Sequence, residues 1–255
     1  MILNVKELDF NYSKEKVLKD INFGLNKGEL LTLIGPNGSG KSTILKCINR
    51  YLKPNRGNIN LFDRDINSYS REKLARIIAY LPQKERHNFP LNVFETVLMG
   101  RRPHSRWKVG EEDKKITASL IAELGLSKIA FKNINNLSGG QQQKVFIARM
   151  MAQKPEIILL DEPTNNLDLR HQLEIFKLVK EQTQKGISAV ITLHDLSLVS
   201  RYSDKIIMLK EGEIFASGGK NILTAANIRE VYGVEVSLKK HNGNMIIIPE
   251  DTICV

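Results

Sequence analysis

The run Gly35-Pro36-Asn37-Gly38-Ser39-Gly40-Lys41-Ser42-Thr43 lies between the apolar stretch Leu30–Ile34 and a helical stretch that reads from Ser42 to about Tyr51. A strand that enters a glycine-rich loop and leaves as a helix is the strongest constraint in this chain. Glycines let the backbone turn tightly enough for successive N–H groups to converge on phosphate oxygens. The helix start adds roughly half a positive charge beneath the anion. Lys41 is placed to reach the outer phosphates, and the Ser42 hydroxyl to ligate Mg²⁺. The segment therefore predicts an α/β domain whose strand delivers a phosphate-binding loop.

A second acidic element complements it. Ile157-Ile158-Leu159-Leu160-Asp161-Glu162 is a buried-strand pattern ending in two carboxylates, and ligands bind parallel sheets at such strand ends. Asp161 suits Mg²⁺, and Glu162, one residue on, suits polarisation of an attacking water. The more specific feature is Leu137-Ser138-Gly139-Gly140-Gln141. It reads as a second anion site, a glycine-rich turn opening a helix over Gln142–Gln153, with the Ser138 hydroxyl and nearby N–H groups free. One nucleotide does not need two helix-start cradles from one chain. A head-to-tail pair, each Ser138 turn closing over its partner's phosphate loop, resolves this.

The rest of the chain fits an α/β reading. Strands are predicted at Leu3–Phe10, Val17–Leu25, Ile59–Phe62, Ile77–Leu81, Ile157–Leu160 and Ala189–Leu193, with a hairpin over Ile206–Ala216. Asn92 and Glu95 form a capping-box pattern before a helix over Val93–Met99, and Glu111–Leu124 and Leu173–Glu181 read as helices. The 255 residues form one domain with a helical insertion over 88–152. No apolar run approaches the ~20 residues of a membrane-spanning helix, and the N-terminus lacks a signal-peptide layout. The expectation is a protein that stays in the cytoplasm and meets a membrane through a partner. Net charge is +10, but no basic stripe interleaves with aromatics, which argues against nucleic acid. Cys47 and Cys254 form no metal-ligand or disulfide framework, and Cys47 reads as a small core residue.

On these motifs the sequence resembles the nucleotide-binding domain of the ABC ATPase family, whose signature is Leu-Ser-Gly-Gly-Gln. The likeness covers nearly the whole chain and is least secure after about Gly219. It implies a P-loop NTPase fold of ABC type: a mixed β-sheet core, an antiparallel β subdomain and an inserted α-helical subdomain. It also implies ATP and Mg²⁺, with hydrolysis coupled to transport. Gly35, Asn37, Gly38, Ser39, Gly40, Lys41, Ser42 and Thr43 hold the phosphates in that scheme. Tyr12 stacks on adenine, and Ser138, Gly139, Gly140, Gln141 and Asp168 meet the nucleotide from the dimer partner. Ser42, Gln83 and Asp161 face the metal. Glu162, His194, Gln83 and Lys41 are the catalytic set, with Gln83 also sensing the transmembrane partner. Asn165 and Asn166 depart from the commoner wording of the loop before Asp168, which leaves that contact open.

Two further runs, Gly100-Arg101-Arg102-Pro103-His104 and Asp168-Leu169-Arg170-His171-Gln172-Leu173-Glu174, resemble importers of iron–siderophore complexes, haem and cobalamin. The implied partners are a second copy of the chain, membrane permease subunits and, through them, a substrate-binding protein. Within the basic cluster Lys84, Arg86, Arg101, Arg102, Arg106 and Lys108, some residues are expected to dock the permease; a merely solvated face is the alternative. The competing function is a soluble ABC ATPase of an assembly system such as iron–sulfur cluster biogenesis. Chromosome-type relatives would need a long coiled coil between Lys41 and Leu137, and no heptad run occurs there.

Overall fold

The computed structural model describes residues 1–83, 91–104, 109–241 and 244–252. In chain order its elements are β1 (Leu3–Tyr12), β2 (Glu15–Leu25), β3 (Leu30–Ile34), α1 (Lys41–Ile48), β4 (Arg56–Leu61), β5 (Arg64–Asp65), α2 (Arg71–Ile77) and β6 (Ile78–Leu81). There follow α3 (Val93–Leu98), α4 (Glu111–Glu123), α5 (Gly139–Ala152), β7 (Ile157–Asp161), α6 (Leu169–Gln184), β8 (Ser188–Thr192) and α7 (Leu196–Tyr202). The chain closes with β9 (Lys205–Lys210), β10 (Glu213–Gly218), α8 (Ala225–Tyr232), β11 (Val234–His241) and β12 (Asn244–Thr252). Parallel and antiparallel strands with helices make this a mixed α/β fold, as expected.

Two compact units divide the chain, 1–68 with 182–255, and 69–181. The first unit holds an antiparallel sheet in the order β2-β1-β4-β5 and strands in the order β10-β9-β3-β8. Leu30 pairs with Ala189 and Leu31 with Lys205, so β3 runs parallel to both β8 and β9, while β10 returns antiparallel on β9. Every residue of β3 and β8 is buried. That matches their continuous apolar sequence, since a parallel sheet is covered on both faces. β10 alternates half-buried and exposed positions, as an edge strand with one wet face does. A hairpin of β11 and β12 and the helix α8, which the sequence reading left uncalled, complete this unit.

In the second unit β6 and β7 pair in parallel, Ile78 with Ile157 through Leu81 with Leu160. The helices expected across 88–152 are α3, α4 and α5. The Asn92 capping box is present in full, its side chain accepting from Glu95 N and Glu95 returning to Asn92 N. In α4, Glu111, Glu112 and Asp113 crowd the first turn, where the helix dipole favours acids. In α5, Val145, Ala148 and Ala152 are fully buried, the face set by their three- and four-residue spacing.

The run Gly100–His104 is joinery. A Cβ on Gly100 would sit 2.0 Å from the Arg149 carbonyl oxygen, so only glycine lets this backbone touch α5. Arg101 is 6% exposed, donates to the carbonyl of Ala152 at 2.7 Å and pairs with Asp113 at 2.8 Å. It thus closes the C-terminal end of α5, where a cation is favoured, and ties it to α4. His104 Nε2 bonds Gln153 O at 2.7 Å, and Arg76 donates to Pro103 O at 2.7 Å. Of the basic cluster expected to supply docking residues or a solvated face, Arg101 does neither, because its guanidinium is spent inside the unit. Arg102 is exposed; Lys84, Arg86, Arg106 and Lys108 lie outside the described residues, as does Cys254. Cys47 is buried in α1, as expected.

Candidate functional site

In the first unit the phosphate loop is shaped by three left-handed glycines, Gly35, Gly38 and Gly40, at φ +147°, +80° and +99°. They are glycine for different reasons. At Gly35 a Cβ would lie 2.3 Å from Leu209 O, and at Gly40 it would strike Leu18 of β2 at 2.5 Å. At Gly38 it would meet nothing within 4 Å, so backbone conformation alone demands glycine there and the space above the loop stays open. Lys41 is buried, and its ammonium donates to the carbonyls of Gly35 at 2.7 Å and Pro36 at 2.8 Å. Helix α1 starts at Lys41 behind Gly40, with no side chain capping its first amides and no acid in its first turn. Such an end is a cradle for an anion. Ser39 adds a buried hydroxyl with no hydrogen-bond partner, an orphan that a phosphate oxygen would satisfy.

Tyr12 closes β1 and is 45% exposed. Phe10 meets it edge to face, centroids 4.8 Å apart at 83°. His194 is exposed in the turn after β8, immediately before Asp195, whose carboxylate caps α7 by accepting from Ser197 N and Leu198 N.

In the second unit β7 delivers Asp161, 2% exposed, and Glu162 follows in the left-handed region at φ +48°. That reversal separates the directions of the two carboxylates and is a strained conformation for glutamate. Gln83 Nε2 donates to Glu162 Oε2 at 2.5 Å, and the Asn165 side-chain amide donates to the same oxygen. The family resemblance places Gln83 and Glu162 in one scheme but gives Asn165 no role. Its position three residues after an acid at a strand end was the available signal.

The signature turn differs from the expectation. Helix α5 begins at Gly139, so Gly139, Gly140 and Gln141 form its first turn instead of preceding it. Ser138 is the cap: its Oγ accepts from Gln141 N at 3.3 Å while Gln141 Oε1 accepts from Ser138 N at 3.2 Å. The Ser138 oxygen is therefore engaged, not free, although its proton remains available to an acceptor. The amides of Gly139 and Gly140 fall outside the capping box. Asp168 stands before α6 and accepts from His171 N at 2.9 Å and from His171 Nδ1 at 2.9 and 2.8 Å. The bond from the His171 amide, then that from its ring, hold the Asp168 carboxyl below the usual range.

As to a metal, the oxygens of Ser42, Asp161 and Gln83 are hard donors of the kind Mg²⁺ takes alongside nucleotide phosphates. Among the described residues no three His, Cys, Asp or Glu side chains gather into an all-protein cage.

Residues 18–165 match the ABC transporter family. The chain is 44% identical to the ABC transporter ATP-binding protein MJ0089 of Methanocaldococcus jannaschii, over 98% of each chain. It is 34% identical to the hemin import ATP-binding protein HmuV of Thermobifida fusca, over 98% of this chain and 89% of that one. Among solved structures, a metal-chelate type ABC transporter in an inward-facing conformation superposes with a TM-score of 0.85 at 30% identity, covering 98% of both chains. The cassette MJ0796, in a dimeric post-hydrolysis state bound to ADP and phosphate, gives 0.75 at 31% identity over 86% of this chain and 98% of that one.

Proposed function

This chain belongs to the ABC transporter family as an ATP-binding, ATP-hydrolysing subunit, and from that premise we propose that it powers an importer of iron chelates. The relatives supply the cargo class: hemin for HmuV, metal chelates for the structural neighbour. Siderophore and cobalamin-type chelates fall in the same proposal.

One observation carries the coupling. Gln83, which the family resemblance links to the membrane partner, donates directly to Glu162. Displacement of Gln83 therefore reaches the carboxylate through a single hydrogen bond.

In this reading two copies pair head to tail; that the ADP- and phosphate-bound cassette MJ0796 is dimeric supports pairing. Tyr12 stacks on adenine. Gly35, Asn37, Gly38, Ser39, Gly40 and Thr43 cradle the phosphates, and Lys41 neutralises their outer oxygens. Glu162 orients water for in-line attack on the γ-phosphorus, while His194 and Gln83 complete the polar surroundings of that phosphate. Mg²⁺, held by Ser42, Asp161 and Gln83, would offset charge on the phosphate oxygens. Ser138, Gly139, Gly140, Gln141 and Asp168 meet the partner copy's nucleotide, so loss of the γ-phosphate loosens the pair.

Residues 88–152 act as the inserted helical subdomain. Its exposed aromatic surface supports permease docking: Phe131 is 82% exposed and stacks on Phe94 with centroids 6.3 Å apart. No helix among the described residues is long and apolar enough to cross a membrane. Peripheral attachment at the cytoplasmic face, through the permease, is thus part of the proposal.

Affinity purification of the chain from its native membranes in mild detergent tests it. Stoichiometric recovery of a polytopic membrane protein is expected, with a companion binding protein that takes up iron chelates or hemin. Recovery with soluble scaffold proteins alone would overturn the transporter reading and leave the ATPase.

A further inference from the structure

Gly140 accepts no side chain in this fold. A Cβ there would lie 2.2 Å from Cδ2, 2.3 Å from Cγ and 2.7 Å from Nε2 of His171. At Gly139, one residue earlier, it would meet only Leu167 Cδ2, at 3.7 Å. Neither glycine has a positive φ, so close approach and not backbone freedom makes residue 140 glycine. The imidazole seated on it is itself fixed. Its Nδ1 lies 2.9 and 2.8 Å from the two carboxylate oxygens of Asp168. An ionised carboxylate only accepts, so Nδ1 carries a proton and the ring plane is set.

The contact continues one turn further. Lys144, four residues after Gly140, pairs at 2.5 Å with Glu174, three residues after His171. Those spacings put both rungs on the facing sides of α5 and α6. Gln172 adds a tie from α6 to the loop before it, donating to Leu167 O at 3.1 Å. The loop ending in Asp168 and the turn opening at Ser138 are thus joined through one imidazole.

We propose that His171 is a positioning residue for the Ser138–Gln141 turn: oriented by Asp168, its ring seats Gly140 and sets the angle at which the start of α5 is presented to nucleotide. This rests on the reading that the turn meets nucleotide in the paired state. It also gives Gly140 a different reason to be glycine than room for phosphate, and the two reasons separate experimentally.

The test is a double-substitution cycle in the reconstituted importer, with Gly140→Ala, His171→Ala and the pair. Gly140→Ala alone is expected to lower kcat about tenfold, since small misplacements of a positioning group have effects of that order or larger. Placed on His171→Ala, where the ring is gone, the same methyl should lower it less than about threefold further. His171→Ala alone should lower kcat about fivefold while the ATP Kd of the isolated chain stays within about twofold. Equal damage from Gly140→Ala in both backgrounds would overturn the proposal, as would unchanged kcat in His171→Ala. If His171→Ala does not fold, His171→Asn, which keeps a donor for Asp168 without the ring, takes its place in the cycle. Failure of the underlying reading looks different: a Glu162→Gln chain then does not pair on ATP. The cycle read as urea midpoints of the isolated chain still tests the Gly140–His171 contact in that event. A Gly140→Ala penalty that vanishes without the ring supports it, and an unchanged penalty overturns it.

Discussion

The side-chain amides of Gln83 and Asn165 converge on one oxygen of Glu162, the former at 2.5 Å. Two donors on one carboxylate oxygen fix the direction in which the other oxygen is presented, which is the positioning a general base needs. They also fix the side chain at a residue whose backbone is already strained at φ +48°.

Replacing Glu162 by Gln should therefore leave ATP binding nearly intact and lower hydrolysis by about 100-fold or more. The ATP-bound chain should accumulate as a dimer, read by size-exclusion chromatography beside a phosphate-release assay. Asn165→Ala should be milder, a loss of about threefold to tenfold in kcat with little change in KM, because it removes one donor of the pair. Unimpaired turnover in Glu162→Gln would remove that residue from the chemistry.

Tyr12 is 45% exposed and meets Phe10 edge to face. Base stacking on an aromatic ring contributes about 1–3 kcal/mol. Tyr12→Ala should thus weaken ATP about tenfold or more, while Tyr12→Phe keeps the affinity. Fluorescent-nucleotide titration distinguishes them, and equal affinities for all three chains would move adenine elsewhere.

Arg101 and Asp113 are 7% and 14% exposed at their side chains and pair at 2.8 Å. Removing one partner strands the other, so Arg101→Ala should lower stability by about 3–5 kcal/mol in urea melts. Lysine lacks the fork that serves Asp113 and the Ala152 carbonyl together, so Arg101→Lys should recover little of it. Charge reversal at the exposed Arg102 should leave the melting curve unchanged.

Burial pushes the Cys47 thiol up to about 12 from its ordinary value of 9.0. The folded chain therefore holds a proton that the unfolded chain releases first. Its contribution to stability is complete below pH 9 and is lost as pH rises from 9 toward 12. Cys47→Ala should flatten the alkaline decline of the urea midpoint. In a Cys254→Ala background, Cys47 should also resist thiol reagents until the chain unfolds.

How legible the molecule was in its sequence depended on how local each signal is. Leu30–Ile34, the glycine loop and α1 were readable because run, turn and helix start follow one another directly. Asn92 and Glu95 announced α3 through a reciprocal cap three residues wide. The start of α5 was misplaced because two glycines argue against helix by propensity. Yet Ser138 and Gln141 carry the same capping-box spacing as Asn92 and Glu95, and that signal outranks the glycines here. From sequence alone Arg101 reads as surface charge, because its partners, Asp113 and Ala152, come from other helices. No spacing rule reports that. The α8 helix ends on Gly233 in the left-handed region, a stop signal present in the sequence, but of the hairpin beyond it only β11 alternates, while Met245–Ile248 in β12 runs apolar without a break.

Lys41 shows what nucleotide must do on arrival. Its ammonium already rests on the carbonyls of Gly35 and Pro36. In the proposed reading phosphate would not meet a bare cation but would replace oxygens around one that is coordinated, a ligand substitution at nitrogen. Calorimetry of binding would then record the difference between two sets of contacts, and a small heat would be compatible with a strong grip.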